Sequence, residues 1–291
     1  MNLELLFLGS GTSAGVPMIG CDCAVCTSSD PRDNRTRASV LVSYPQEQPP
    51  VSTGAGQPTW DAAEAPSVQR RSLLIDTTPE MRIQMLRHRI HRIDGVLFTH
   101  SHADHIFGMD DLRRFNAVMK TPIDLYAERS VIEQFGQMFR YIFEPQHNVN
   151  ASFVPHLLLN AIEPGRPFDL FGATWTPLRL LHGRLPILGF RVDWQGRSLA
   201  YCTDVSAIPP ETYPLMADLD VLVIDALRYR HHPTHFTVDQ ALEQIEHIQP
   251  RRAYFTHIAH EIRHAELEPQ LPEHIRLAYD GLVVELEPQP G

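Results

Sequence analysis

Residues 95–105 read GVLFTHSHADH, a short apolar run that passes without a break into three imidazoles and a carboxylate. The run reads as a buried strand, which puts the polar cluster at its carboxyl end. Alternate side chains on an extended backbone point the same way, so His100 and His102 can grip one cation together. Asp104 and His105, where the chain turns toward a helix, are then free to address a second. Imidazole and carboxylate suit Zn, Fe or Mn, and a strand end holds such ligands rigidly.

The rest of the chain supplies the setting. Strand-like runs recur at LELLFLG, ASVLVS, SLLID and PIDLYA, and later at ILGFRVDW, SLAYCTD, DVLVIDAL, RAYFTH and LVVEL. Helical patterns lie between them at TPEMRIQMLRH, MDDLRRFNAVM, SVIEQFGQMFRYIF and TVDQALEQIEHI, the last with Thr237 placed to cap it. So many strands with interspersed helices fit layered sheets covered by helices better than one doubly wound sheet. Tyr44 to Gln69 breaks the pattern, being rich in Pro, Gly, Gln and Ala without periodicity, and is expected to be a surface insertion.

The 291 residues suffice for a sizeable core, and the formal charge of -10 argues against a protein that grips nucleic acid through a diffuse positive face. The first residues, MNLELLFLGSGTS, carry no basic leader, and their apolar run is too short for a signal peptide or a membrane span. A soluble, cytoplasmic chain with no membrane partner is the expectation. Three of the four cysteines, Cys21, Cys23 and Cys26, crowd into six residues, which suits a metal better than bridges and agrees with a reducing compartment. They supply three corners of a tetrahedral structural Zn. The fourth is open between Cys202 and a histidine. His260 stands three residues past His257 in FTHIAH, where a strand ends, so the chain can turn and aim the two imidazoles at different metals.

THSHADH resembles the HxHxDH signature of the metallo-β-lactamase superfamily. The resemblance implies an α+β fold, a four-layer αββα sandwich, with a dinuclear site at one edge, here as a single domain over residues 1–291. It also implies three later ligands at strand ends, matched by His182 in RLLHG, Asp204 in AYCTD and His257 in YFTH. His100, His102 and His182 would then hold one divalent ion, Zn or Mn, and Asp104, His105 and His257 the other, with Asp204 bridging. Asp76, closing SLLID, matches a supporting carboxylate of the superfamily; a capping or turn role is its other reading.

The cysteine loop with the second His of THxxH is similar to the phosphoribosyl 1,2-cyclic phosphate phosphodiesterase branch, in which that set binds structural zinc. By the same resemblance His235, just before TVDQALEQIEHI, would give the leaving group its proton, and Asp104 and His235 are the residues expected to be catalytic. His231 and His232 read as solvated loop residues. Arg113, Arg114 and Arg184 can orient a phosphate, with none assigned. GSGTSAGVP either lines the site with backbone N–H groups or is a turn that needs small residues.

The implied activity is hydrolysis of a small phosphodiester, with cyclic ribose phosphates foremost, by a hydroxide bridging two metals. LFLGSGTSAGVP also resembles the start of the tRNA 3′-processing endonucleases. Those enzymes have a different basic stretch where the cysteine loop stands, and no basic glycine-rich arm for tRNA is present. A branch acting in pyrroloquinoline quinone maturation carries similar cysteines and is the oxidoreductase alternative. Monomer and homodimer both stay open.

Overall fold

Leu3, Leu5 and Phe7 of the first strand enter one buried apolar cluster while Leu6 and Leu8 enter another, so the sheet they build is covered on both faces. The computed structural model describes residues 2–47, 68–144 and 153–289. One seven-stranded sheet holds β1 (Leu3–Gly9), β2 (Ser39–Glu47), β3 (Val68–Ile75), β4 (Gly95–Leu97), β5 (Ile123–Ala127) and β6 (Leu157–Ala161). The other holds β7 (Phe168–Leu170), β8 (Ala173–His182), β9 (Leu185–Trp194), β10 (Arg197–Cys202), β11 (Val221–Asp225), β12 (Arg252–Thr256) and β13 (Ile275–Leu277). The last strand, β14 (Val283–Leu286), returns to pair antiparallel with β1 at the edge of the first sheet.

Three apolar layers make this an αββα sandwich, the α+β fold the sequence implied. Between the sheets lie Phe7, Val42, Ile75, Trp175, Phe190 and Val223, among others. The outer face of the first sheet packs Leu74 and Val96 against Met81, Met85, Leu112 and Phe135 of its helices. Outside the second sheet, Leu222, Ile224 and Phe255 meet Val238, Ala241 and Ile245 of the helix Val238–Ile248. That helix begins with the expected cap: the Thr237 hydroxyl accepts from the Gln240 N–H at 3.2 Å and the Gln240 side chain accepts from the Thr237 N–H at 3.0 Å. Among the described residues no helix is long and apolar enough to cross a membrane.

The stretch expected to be an insertion is shorter than Tyr44 to Gln69. Residues 44–47 pair antiparallel with 68–71, because continuing the ladder satisfies backbone groups that a loop would leave to water. Tyr44 is core: its hydroxyl donates to the Leu170 carbonyl at 2.7 Å and accepts from the Trp175 indole at 3.1 Å. Residues 48–67 lie outside the described residues.

Strands β3, β4 and β5 run parallel in one sheet, and β10, β11 and β12 run parallel in the other. Their carboxyl ends bring Asp76, the SHADH turn, Asp204, Asp225 and His257 to one rim. The GSG loop is threaded between them: a Cβ on Gly9 would stand 1.9 Å from the Arg37 carbonyl, and one on Gly11 2.7 Å from the Arg35 carbonyl. Small residues are therefore needed there for close backbone approach. Asp280 fixes the loop, accepting from the Ser10 and Thr36 N–H groups at 2.9 and 2.8 Å and from both hydroxyls.

Candidate metal centre

Three strand ends at the rim turn sharply. Asp76, Asp204 and His257 adopt left-handed backbone, with φ of 63°, 58° and 58°, a conformation costing a non-glycine residue roughly 1–2 kcal/mol. The turn reverses the alternation of the strand, so each side chain swings to the rim. Hydrogen bonds on both sides hold His257 there, from the Ala226 N–H to the Thr256 carbonyl (3.1 Å) and from the Ile258 N–H to the Ser10 carbonyl (2.9 Å).

Two sets of potential ligands result, each with its ligand atoms within 4.8 Å of one another. His100, His102 and His182 form one, and Asp104, His105, Asp204 and His257 the other. Asp204 also falls in a set with His182 and His235, which joins the two groups. The buried His105 Nε2 makes no hydrogen bond, yet it has Asp104 Oδ2 and Asp204 Oδ1 each at 3.3 Å. His257 Nε2 is likewise without a hydrogen bond and stands 3.3 Å from Asp204 Oδ2. Atoms bound to one tetrahedral cation at about 2.0–2.1 Å lie roughly 3.3 Å apart, so these buried polar atoms stand as ligands around an ion would.

The other ring nitrogens fix the tautomers. Asp76 accepts from the Thr99 N–H (2.9 Å), from the Thr99 hydroxyl (2.8 Å) and from His105 Nδ1 (2.7 Å). With its proton given to Asp76, the Thr99 oxygen accepts from His100 Nδ1 at 2.9 Å, and His182 Nδ1 donates to the Thr234 carbonyl at 2.8 Å. His100 and His182 are thereby left with bare Nε2 atoms facing the rim. Burial lowers His105, but the Asp204, Asp76 and Asp104 carboxylates override it and raise it well above the ordinary histidine value, so its Nε2 holds a proton between Asp104 and Asp204 that a bound cation would displace. Asp76 is thus a supporting carboxylate and not a turn cap.

The charges follow from burial and neighbours. Burial pushes the Asp204 carboxyl up, but the His257 and His105 imidazoles override it and hold it well below the usual range. Asp104 behaves alike: burial opposes ionisation, and His105 beside it wins. Burial drives His100 well below its ordinary value, leaving it neutral as a ligand must be.

His235 is buried against this cluster, its ring 4.6 Å from those of both His182 and His257. Its Nδ1 meets Asp225 Oδ2 at 2.6 Å, and the same oxygen accepts from the Val205 N–H at 2.9 Å. Sequence reasoning missed Asp225, although DVLVID ends an apolar strand with an acid just as SLLID does. Burial raises the Asp225 carboxyl well above the usual range, and burial lowers His235.

Away from this cluster, Cys21, Cys23, Cys26 and His260 form a third set. His260 Nδ1 lies 3.2, 3.5 and 3.6 Å from the three sulfurs. Bonds of about 2.3 Å to sulfur and about 2.0–2.1 Å to nitrogen give a tetrahedral edge of roughly 3.5 Å, so the set fits one zinc. Hydrogen bonding from the Cys26 N–H holds the Cys23 thiol down at about 6. Cys202 is not a partner: it is buried among Leu178, Leu180 and Leu222, and burial pushes its thiol up to about 12. Arg113 pairs with Asp110, and Arg114 lines an apolar groove beside the helix Met81–Arg87.

Comparison with known proteins identifies the family and the fold that carry this rim. The family described as Beta-lactamase superfamily domain matches residues 71–258. A solved diphosphatase from the PhnP family is 38% identical, with a TM-score of 0.81 and 98% of each chain covered. Zn(2+)-bound PqqB from Methylobacterium extorquens shares the fold at 19% identity, with a TM-score of 0.71 over 97% of this chain and 100% of that one. An octanoyltransferase of Porphyromonas gingivalis is 36% identical over 96% of this chain, which spans about half (51%) of that relative's length.

Proposed function

The chain belongs to the beta-lactamase superfamily, and from that premise we propose that it is a metal-dependent hydrolase of phosphodiesters with two divalent cations, Zn or Mn, in its active site. The observation that carries the reading is the adjacency of two ligand sets linked through Asp204, with the Asp225–His235 pair against both. His100, His102 and His182 would hold one ion, and Asp104, His105 and His257 the other. When bound, such a pair supplies Lewis acidity, activating water and neutralising phosphoryl oxygens.

The protein's own groups do the rest. Two carboxylates, Asp104 and Asp204, face four metal charges, so the loaded site attracts an anion although the chain is acidic overall. Asp104 is the more open of the two and can accept a hydrogen bond from an attacking water. Asp225 holds the proton on His235 Nδ1 and so aims Nε2 at the site, where it can protonate the departing oxygen. A small, cyclic ribose phosphodiester suits this arrangement; the solved relative is named a diphosphatase, which supports hydrolysis at phosphorus and not the choice of a cyclic ester.

The cysteine set would carry a structural zinc that fastens the loop after β1 to the segment after β12. The described residues are read as one domain, with 48–67 inserted between β2 and β3. Octanoyl transfer is no part of the proposal: this chain spans about half (51%) of that relative, and the activity in its name is said of the whole relative. The test is metal analysis of the purified protein beside a screen of bis-p-nitrophenyl phosphate, cyclic ribose phosphates and a precursor tRNA. Two ions at the rim with turnover of the small esters supports the reading; turnover of precursor tRNA alone replaces it with an endonuclease. Iron with oxygen uptake and no ester hydrolysis replaces it with an oxidoreductase.

A further inference from the structure

The loop that carries His235 leaves β11 and returns to the helix Val238–Ile248, and its two stems are pinned to each other. The Leu227 N–H donates to the Phe236 carbonyl and the Val238 N–H to the Arg228 carbonyl, both at 3.0 Å. The inner arm of the loop is held by the rim, where His235 Nδ1 meets Asp225 and the Thr234 carbonyl accepts from His182. His232 belongs to this arm and is not freely solvated: the Thr234 N–H donates to its Nδ1 at 3.3 Å, and the Thr234 hydroxyl lies 3.1 Å from the same nitrogen.

One side chain holds the outer arm. Arg228 donates from Nε to the Arg230 carbonyl at 3.2 Å and from Nη2 to the His231 carbonyl at 3.0 Å. Its Nη1 lies 3.6 Å from Glu261 Oε1, and Arg230 Nη2 lies 3.5 Å from that oxygen. Among the described residues Glu261 is the only carboxylate within ion-pair distance of either arginine. Its other oxygen, Oε2, faces His260 Nε2 at 3.8 Å, a contact of charge and not a hydrogen bond. His260 presents Nδ1 to the three thiols, so a zinc held there leaves the ring proton on Nε2, on the side of this carboxylate. Arg228, Glu261 and His260 are each 26% exposed at the side chain, which shields their attraction in part from solvent.

We propose that Glu261 is a positioning residue that ties the thiol-site ligand His260 to Arg228, and through Arg228 to the arm of the loop leading into His235. Pro233, with its restricted backbone, lies between that arm and Thr234, so a shift of residues 230–231 carries toward His235. An ion pair this exposed adds little to stability, but a small displacement of an acid from the departing oxygen lowers a rate steeply. The thiol set thus bears on the placement of the acid as well as on the fold. The tie stands on contacts alone; its consequence for catalysis rests on the phosphodiesterase reading.

The test compares wild type, Glu261→Ala, Arg228→Ala and the double variant, each loaded with metal in excess zinc and checked by metal analysis. Both single variants should keep their rim metals and exchange the Thr234 and Val238 amides about tenfold faster, while the Ala253 amide, bonded to the His274 carbonyl, stays unchanged. In both, kcat/KM for an alkyl phosphodiester should fall about tenfold and that for bis-p-nitrophenyl phosphate by less than about threefold. The double variant should be no worse than either single one, since the two residues act in one tie. Unchanged exchange in Glu261→Ala, additive effects in the double variant, equal losses on the two esters or loss of a rim metal would overturn the assignment. If the wild type hydrolyses neither ester, the phosphodiesterase reading fails, and faster exchange in both single variants with no further gain in the double one still sustains the tie.

Discussion

Replacing His235 with Ala separates the proton-donor role from the other role its position allows. The imidazole lies in two further potential ligand sets, one with His182 and Asp204 and one with Asp225 and His257. It can therefore serve as a ligand or as an acid. As an acid it matters only when the departing oxygen needs a proton. Its Nδ1 is fixed on Asp225 at 2.6 Å, leaving Nε2 as the donor, and general acids of this kind contribute about 10²–10⁴-fold. An alkyl phosphodiester, whose alkoxide needs that proton, should lose about that much in kcat/KM in His235→Ala, or ~3–5 kcal/mol at the barrier. Bis-p-nitrophenyl phosphate, whose phenolate leaves unaided, should change by less than about tenfold.

The pH dependence carries the same signature with a definite sign. The acid works only while protonated, and burial lowers His235. The wild-type rate on the alkyl ester should therefore fall as pH rises past a value below the ordinary histidine range. That falling limb should vanish in the variant. Both measurements need metal analysis of the same samples. Equal losses on the two esters, or loss of one rim metal in His235→Ala, would refute the acid assignment and make His235 a ligand.

Three other perturbations probe the supports. Cys23→Ser should remove one zinc and lower Tm by roughly 5 °C or more, since the site closes a very long loop and its binding energy is partly folding energy; atomic absorption and calorimetry report both. Asp76→Asn breaks the carboxylate that orients His105 and, through Thr99, His100. It should weaken rim-metal affinity by about 10–100-fold in a chelator competition while leaving the thiol-bound zinc in place. Asp280→Ala strands the Ser10 and Thr36 N–H groups and should cost roughly 2–5 kcal/mol in urea unfolding; a change under about 0.5 kcal/mol would show that water replaces the carboxylate.

What the sequence disclosed was whatever one segment encodes alone. The SHADH turn is legible because strand, turn and ligands are contiguous, and the thiol set because three sulfurs fall within six residues. Thr237 and Gln240 announce their helix by a capping box. The αββα layering is written into strands that are apolar on both faces, such as Val221 to Ile224, which alternate between two cores. Strand β8 was harder to see, because Pro177 in its middle reads as a break. Pro177 is tolerated there, with its carbonyl accepting from the Gly165 N–H at 2.8 Å. Tyr44 likewise hid in a proline-rich stretch, its place in the core set by Leu170 and Trp175.

What the sequence could not disclose was the support, because that exists only through space. Asp225 reaches His235 across ten residues, and the Thr234 carbonyl reaches His182 across fifty-two. The left-handed turns at Asp76, Asp204 and His257 have no local signal either, since each would cost less as a glycine. Hydrogen bonds over-determine them: backbone ones flank Asp76 and His257, the latter through Ala226 and Ser10, and after Asp204 the Val205 N–H donates to the Asp225 carboxylate. Strain held by the sheets, and not by an ion, implies that the ligands are in place before a cation arrives. The rim should then bind metal without reorganising, whereas the thiol loop, with a short β-bridge at Val16 and Arg35 and a small apolar cluster of its own, has far less to hold it. Chelation should accordingly loosen residues 18–28 in hydrogen exchange while leaving the amides of Thr99, Val205 and Ile258 protected; equal loss of protection at both places would show that the ions, and not the sheets, hold the rim.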